Sequence, residues 1–187
     1  MKEQEAIFGK KQSGDKRGIA PAVLEFQDIQ TEMPVFEQVF MEVLRLHHPF
    51  FQLSRFVQQD SVFEHEDGKK TLIPTGHYVN VAPSAAMRTP QLFPEGPEEF
   101  DPSRFDKSKT KKLEPYAFIG FGGGLHQCGG RKFAWNSLKA SLSWLLRNYD
   151  LELIGAGADS MPGEDYTTMV VTPTTAHVQV RYKRKTA

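Results

Sequence analysis

Apolar residues recur three and four positions apart from Pro34 onward, at Phe36, Val39, Val43 and Leu46, the spacing of one helical face. Pro34 suits the first turn of that helix and Pro49 ends it. From Gln52 to Ala82 the period shortens. The pieces FQLSRFV, KTLIP and HYVNVAP alternate like strands, and the polar turns EDGKK and PTGH between them predict hairpins. Between Pro83 and Pro115 prolines and charges dominate, and the aromatics Phe93, Phe100 and Phe105 predict an ordered coil pinned by buried rings. A second helix is predicted from about Arg131 to Tyr149, with Ala134, Leu138, Leu142, Leu145 and Tyr149 on one stripe. The tail alternates again in YDLELI, YTTMVVTP and AHVQVRYKRK, predicting strands. The opening MKEQEAIFG reads as a helix end stopped at Gly9, followed by a polar loop. The pattern predicts an α+β fold, mainly α.

Composition narrows the function classes. The 187 residues suffice for one domain with a real core. With 23 basic and 23 acidic side chains there is no basic surplus to displace counterions from phosphates, which argues against a general nucleic-acid binder. The single cysteine cannot form an internal disulfide, so it is either kept reduced or has another task. No apolar run is long enough to cross a bilayer.

The chemistry-bearing stretch is FIGFGGGLHQCGGRKFA, Phe118 to Ala134, which surrounds that cysteine with glycine and then starts a helix. A lone cysteine is most often a small buried hydrophobe. Glycines on both sides of Cys128 suit another use, because they let the backbone lie flush against a flat ligand and tolerate positive φ. A sulfur just before a helix start sits near the positive end of a macrodipole, which lowers a thiol pKa from about 8.5 and favours the thiolate. Nearby backbone N–H groups can tune such a thiolate, and thiolate ligation of haem iron favours O–O cleavage.

The pattern Phe121, Gly124, Cys128, Gly130 and Ala134 resembles the haem-binding signature of the cytochrome P-450 superfamily. Two further signatures stand in the right order. Glu42-Val43-Leu44-Arg45 resembles the Glu-x-x-Arg of an upstream helix, and Pro102-Ser103-Arg104-Phe105 resembles the Pro-x-Arg-Phe of the long coil. The resemblance implies a buried triad of Glu42, Arg45 and Arg104, with a role in structure and haem incorporation. It implies haem b with Cys128 as the axial metal ligand, and a contact surface made by Phe121, Gly122, Gly124, His126, Gly130 and Ala134. Arg55, after the helix, takes the position of a propionate-binding arginine, and His126 that of the second propionate partner. Within the superfamily, the Arg55 strand, the cysteine loop and the tail resemble the sterol 14α-demethylases. Gly129 and Leu125 depart from residues common at those positions.

On that resemblance residues 1–187 form the C-terminal haem-binding part of a single cytochrome P-450 domain. The segment lacks the central distal helix with its acid–threonine pair, so no catalytic residue is assigned. GEDYTT, Gly163 to Thr168, looks similar but lies in the wrong order and in a strand-rich tail. The implied activity is insertion of one oxygen atom from O2 into a lipophilic substrate such as a sterol, and 14α-demethylation in the full-length protein. The implied partners are NADPH-cytochrome P-450 reductase or a ferredoxin, docking near Lys132, Lys139, Lys111 and Lys112, with the protein a monomer. The implied location is the cytosolic face of the endoplasmic reticulum membrane. Three other readings stay open: a truncated non-catalytic product, another sterol or lipid hydroxylase, and a peroxide-rearranging haem-thiolate enzyme. By itself the segment is expected to aggregate and to hold haem weakly, because its two main helices lack cover.

Overall fold

Proline at position 34 opens the helix around which the chain is arranged. The computed structural model describes residues 26–31, 33–108, 113–155, 163–174 and 178–185. The helix end expected at the N-terminus, including Gly9, lies outside them. Helix α1 (Phe26–Thr31) leads into α2 (Pro34–Leu46), where Pro34 occupies a first-turn position whose N–H no helix needs. At its other end the His47 N–H donates to the Val43 carbonyl at 2.7 Å. The chain then enters β1 (Leu53–Phe56), runs out through the hairpin of β2 (Ser61–Glu64) and β3 (Lys70–Ile73), and returns as β4 (Tyr78–Val81). β1 and β4 pair antiparallel with Leu53 opposite Val81 and Phe56 opposite Tyr78. β2 and β3 pair with Ser61 opposite Ile73.

The coil after Ala82 is more structured than its prolines suggest. It holds a short helix α3 (Pro83–Ala86) and a 3-10 turn at Pro102–Phe105, where the Asp101 carboxylate caps the Ser103 N–H at 2.9 Å. After the cysteine loop comes α4 (Arg131–Asn148). β5 (Tyr149–Ile154) pairs antiparallel with β8 (Gln179–Arg184), and the short β6 (Glu164–Asp165) pairs with β7 (Thr172–Pro173). The described residues thus form helices beside two-stranded sheets.

An apolar core cluster lies under the long coil, with Phe40 and Leu46 of α2 also buried. Met87, Phe93 and Phe105 are its buried centre, with Met41 of α2 and Phe118 and Ile119 of the cysteine loop packed against them. Phe105 contacts both neighbouring rings, at 6.4 Å to Phe93 and 5.3 Å to Phe118 between centroids. The first residues of the cysteine loop are therefore held by the core itself.

Two expectations need correction. Phe93 and Phe105 are buried rings, but Phe100 is exposed, because the segment around it is fixed through its backbone. The face of α4 that is buried carries Lys139 and Ser143, whereas Leu138 of the apolar stripe is 44% exposed. On α2 likewise, Glu42 and Arg45 are buried while Val43 is exposed. Hydrophobic period places Leu46 of α2 correctly, but it misses the buried Glu42 and Arg45 there and Lys139 and Ser143 on α4, whose partners lie on other segments.

Replacing Phe105 with alanine is expected to cost about 3–5 kcal/mol of unfolding free energy, and Phe100→Ala less than about 0.5 kcal/mol. Urea denaturation of both variants checks the contrast.

Candidate functional site

A spacing of three on α2 puts Glu42 and Arg45 side by side, and the structure buries both completely. Arg45 forks onto the carboxylate, Nε donating to Glu42 Oε2 and Nη2 to Oε1, each at 2.8 Å. Arg104, from the 3-10 turn, donates from Nε to the same Oε1 at 3.0 Å, and the Asp101 N–H joins it at 2.9 Å. The further hydrogen bonds of both guanidiniums go to backbone. Arg45 reaches the carbonyls of Met87 (3.0 Å), Pro97 (2.6 Å) and Glu99 (3.0 Å). Arg104 reaches those of Glu95 (2.9 Å), Gly96 (3.1 Å) and Glu99 (3.2 Å). The Arg45 guanidinium also sits 5.0 Å from the Phe93 ring centre, so the charged cluster and the apolar core share a wall. Removing one partner would strand a buried charge, and that asymmetry is what makes the cluster strong.

The cysteine loop begins on this wall. Gly122 and Gly124 have φ of 71° and 65°, a region that side chains avoid, and they reverse the chain so that it runs back past itself. The Cys128 N–H donates to the Phe121 carbonyl at 2.9 Å and closes the turn. Gly130 caps α4, with the Arg131 N–H on the Cys128 carbonyl (3.3 Å) and the Ala134 N–H on that of Gly130 (2.9 Å). The Phe121 ring packs between Trp135 (5.4 Å) and the Arg131 guanidinium (5.9 Å).

The chemistry of this loop fits haem. Cys128 is a free, exposed thiol two residues before the N-terminal cap of an eighteen-residue helix. A Cβ built on Gly124 or Gly129 meets nothing within 4 Å, so the surface beside the sulfur is open to a flat ligand. Leu125 and Phe133 flank it as exposed apolar side chains. Arg55 and His126, the expected propionate partners, are both exposed. Arg55 lies on β1 opposite Val79, with Nη1 donating to the Ser54 carbonyl at 2.8 Å.

Lys139 is not a docking residue as expected. It is 2% exposed, and its Nζ donates to Glu37 Oε1 at 2.7 Å and to the Ile29 carbonyl at 3.0 Å. Lys132 is exposed, and Lys111 and Lys112 lie outside the described residues.

Several contacts left no trace in sequence. The carbonyls that Arg45 and Arg104 read carry no residue signal, because every residue supplies one. Glu164, in the tail segment that mimics an acid–threonine pair, turns out to anchor the β6–β7 hairpin. It accepts from His47 Nδ1 at 2.7 Å and from the Tyr166 hydroxyl, with Arg88 Nη2 3.7 Å away. Burial pushes the Glu164 carboxyl up, but the Tyr166 and His47 hydrogen bonds and the His47 and Arg88 charges outweigh it and hold the carboxyl below its usual value. The Val171 N–H donates to the Pro49 carbonyl at 2.7 Å and seats the same hairpin.

A free thiol on a glycine turn before a helix is compatible with a haem-thiolate class of site. The family model of cytochrome P-450 matches residues 2–180, and the chain belongs to that family. Members of the family carry haem b on a cysteine thiolate. The chain is 40% identical over 160 residues to the sterol 14-demethylase of Arabidopsis thaliana, covering 84% of this chain and 32% of that protein. It is 38% identical over 160 residues to the obtusifoliol 14-alpha demethylase of Sorghum bicolor, covering 84% and 31%. To the lanosterol 14-alpha demethylase of Cunninghamella elegans it is 31% identical over 183 residues, covering 85% and 34%. It thus spans about a third of the length of the curated relatives it matches. Among the described residues no helix is long and apolar enough to cross a membrane.

Glu42→Gln is expected to lower stability by about 3–5 kcal/mol, because two guanidiniums lose their counter-charge in a buried site. Equilibrium denaturation at neutral pH measures it. The Glu164 contribution should be fully present above the ordinary carboxyl value of 4.5 and be lost as pH falls through its lower native value. The stability gap between wild type and Glu164→Gln, followed by denaturation from pH 7 to pH 3, should therefore close at the acid end.

Proposed function

We propose that residues 1–187 are the C-terminal haem-binding part of a single cytochrome P-450 domain, and that Cys128 supplies its axial thiolate. The observation that carries this reading is the exposed free thiol on a glycine turn, two residues ahead of the Gly130 cap of α4. Near the positive end of that helix a thiolate is favoured over a thiol. Thiolate-ligated haem supplies the activation of O2 that places one oxygen atom in a substrate C–H bond and releases the other as water, with two electrons and two protons consumed.

Around that group this chain's own residues have separate tasks. Gly122, Gly124 and Gly130 keep the loop thin, so that a planar ligand reaches the sulfur without meeting a side chain. Phe121 and Ala134 support the loop from the α4 side. Arg55 and His126 offer positive or hydrogen-bonding groups to two carboxylates, which would otherwise be left without partners on an apolar surface. The cluster of Glu42, Arg45 and Arg104 holds the coil from which the loop emerges and takes no part in the chemistry.

The substrate class is lipophilic, and the likeness to sterol, obtusifoliol and lanosterol 14-demethylases supports removal of a sterol 14α-methyl group by the intact protein. Electrons come from NADPH-cytochrome P-450 reductase or a ferredoxin, with Lys132 a contact on the loop side. The intact protein works as a monomer at the cytosolic face of the endoplasmic reticulum.

The test is the difference spectrum of the reduced, carbon-monoxide-bound intact protein, compared for wild type and Cys128→Ala. A red-shifted thiolate-type Soret band in the wild type that disappears in the variant is expected. A band unchanged by the substitution would overturn the assignment.

A further inference from the structure

The buried face of α4 meets α2 along a seam with a regular order. Trp135, Lys139 and Ser143 are four residues apart on α4. They meet Phe40, Glu37 and Met33 in turn, so the contacts run backward along the α2 side. The Trp135 and Phe40 ring centres are 5.5 Å apart. Lys139 Nζ lies 2.7 Å from Glu37 Oε1, and the Ser143 hydroxyl is 3.5 Å from Met33 Sδ. Only the middle contact is ionic. An antiparallel seam built solely of aromatic, thioether and small side chains has nearly equivalent packings one helical turn apart, a slide of about 5.4 Å. A buried charge removes that degeneracy. Displaced by a turn, Lys139 would face Phe40 or Met33 in place of a carboxylate, and Ile29 would lose the donor on its carbonyl. Buried ionic groups have their best-attested use in fixing register of this kind.

We propose that the Lys139–Glu37 pair is the register key of α4, and through α4 a pair of positioning residues for the Cys128 sulfur. The proposal rests on the haem-thiolate reading of Cys128. The path is short and continuous. Lys139 fixes α4, Trp135 one turn earlier packs on Phe121 at 5.4 Å, and the Phe121 carbonyl holds the Cys128 N–H at 2.9 Å. A slide or rotation of α4 therefore moves the downstream end of the loop and the Phe121 contact that holds the Cys128 N–H. Glu37 stands in the first turn of α2, where a carboxylate is favoured, and its side chain remains 38% exposed. Removing Glu37 alone leaves the buried Lys139 ammonium without its carboxylate, whereas replacing both side chains by apolar ones removes the two charges together.

The test uses the intact haem-loaded protein with the apolar double variant Glu37→Leu/Lys139→Met and the single variant Glu37→Gln. In the double variant the thiolate-type fraction of the reduced carbon-monoxide complex should fall at least threefold. Amide hydrogen exchange over Gly129–Phe133 should speed up at least tenfold, with exchange in the β1–β4 sheet unchanged. A folded double variant with the wild-type thiolate fraction and exchange overturns the proposal. So does exchange that rises equally in every element, which would make the pair a general fastener. If the double variant does not fold, Glu37→Gln decides. It keeps a hydrogen bond but not the charge, and the proposal requires a reduced thiolate fraction there, whereas a wild-type fraction overturns it. A wild-type protein with no thiolate-type band would instead sink the haem reading, and the exchange measurements would still decide the register.

Discussion

One carboxylate sets the conditions for everything around it. Glu42 sits with no exposure between two guanidiniums and a backbone amide, and burial of that kind is tolerable only if both carboxylate oxygens are hydrogen-bonded. The requirement reaches far along the chain, because the second guanidinium comes from Arg104, sixty-two residues on. The long coil has almost no regular secondary structure to hold it. Its geometry is instead imposed by the need to bring Arg104 and the Asp101 N–H to a single oxygen. Once it is so placed, Phe93 and Phe105 are delivered to one apolar cluster, and the cysteine loop starts from that cluster at Phe118.

The cysteine is thus supported from two directions. Upstream, Phe118 and Ile119 are set in the core beside Met87, with the Ile119 N–H 3.3 Å from the Met87 sulfur. Downstream, α4 leaves the loop and packs along α2. Both supports end on the same helix, since Met41 belongs to the core and Glu37 and Phe40 to the seam. Glycines inside the loop are compatible with a defined geometry because its two ends are fixed independently. The loop itself can then remain thin and open at the surface where a ligand approaches.

Much of this was legible in the sequence where residue identity carries the information. Pro34 and the apolar spacing marked α2 within three residues of its observed end, and alternation marked β1, β3 and β4, while β2 (Ser61–Glu64) went unread. Positive φ at Gly122 and Gly124 lies within a run whose glycines already suggested a turn. What could not be read is set by partners distant in sequence. Leu138 scores as core by period but faces outward, and Lys139 scores as surface but is buried, because Glu37 and the Ile29 carbonyl meet that side of α4. Phe100 scores like Phe93 and Phe105, yet the carbonyl of Glu99 holds its segment so that the ring stays in solvent. Glu164 scores as part of a proton-relay mimic and is instead the anchor of a hairpin.

The way Arg45 and Arg104 hold the coil has a consequence for how this protein can change over time. Their contacts beyond Glu42 are with the carbonyls of Met87, Glu95, Gly96, Pro97 and Glu99. A carbonyl is the same whichever side chain follows it, so the clasp does not distinguish most residues at these positions. Glu95, Glu99 and their exposed neighbours are free to drift under selection while the path of the chain stays fixed. The three charged side chains at the centre have no such freedom. A lineage could therefore rewrite the outer surface of the coil, and with it the face shown to other molecules, without disturbing the cysteine loop beneath.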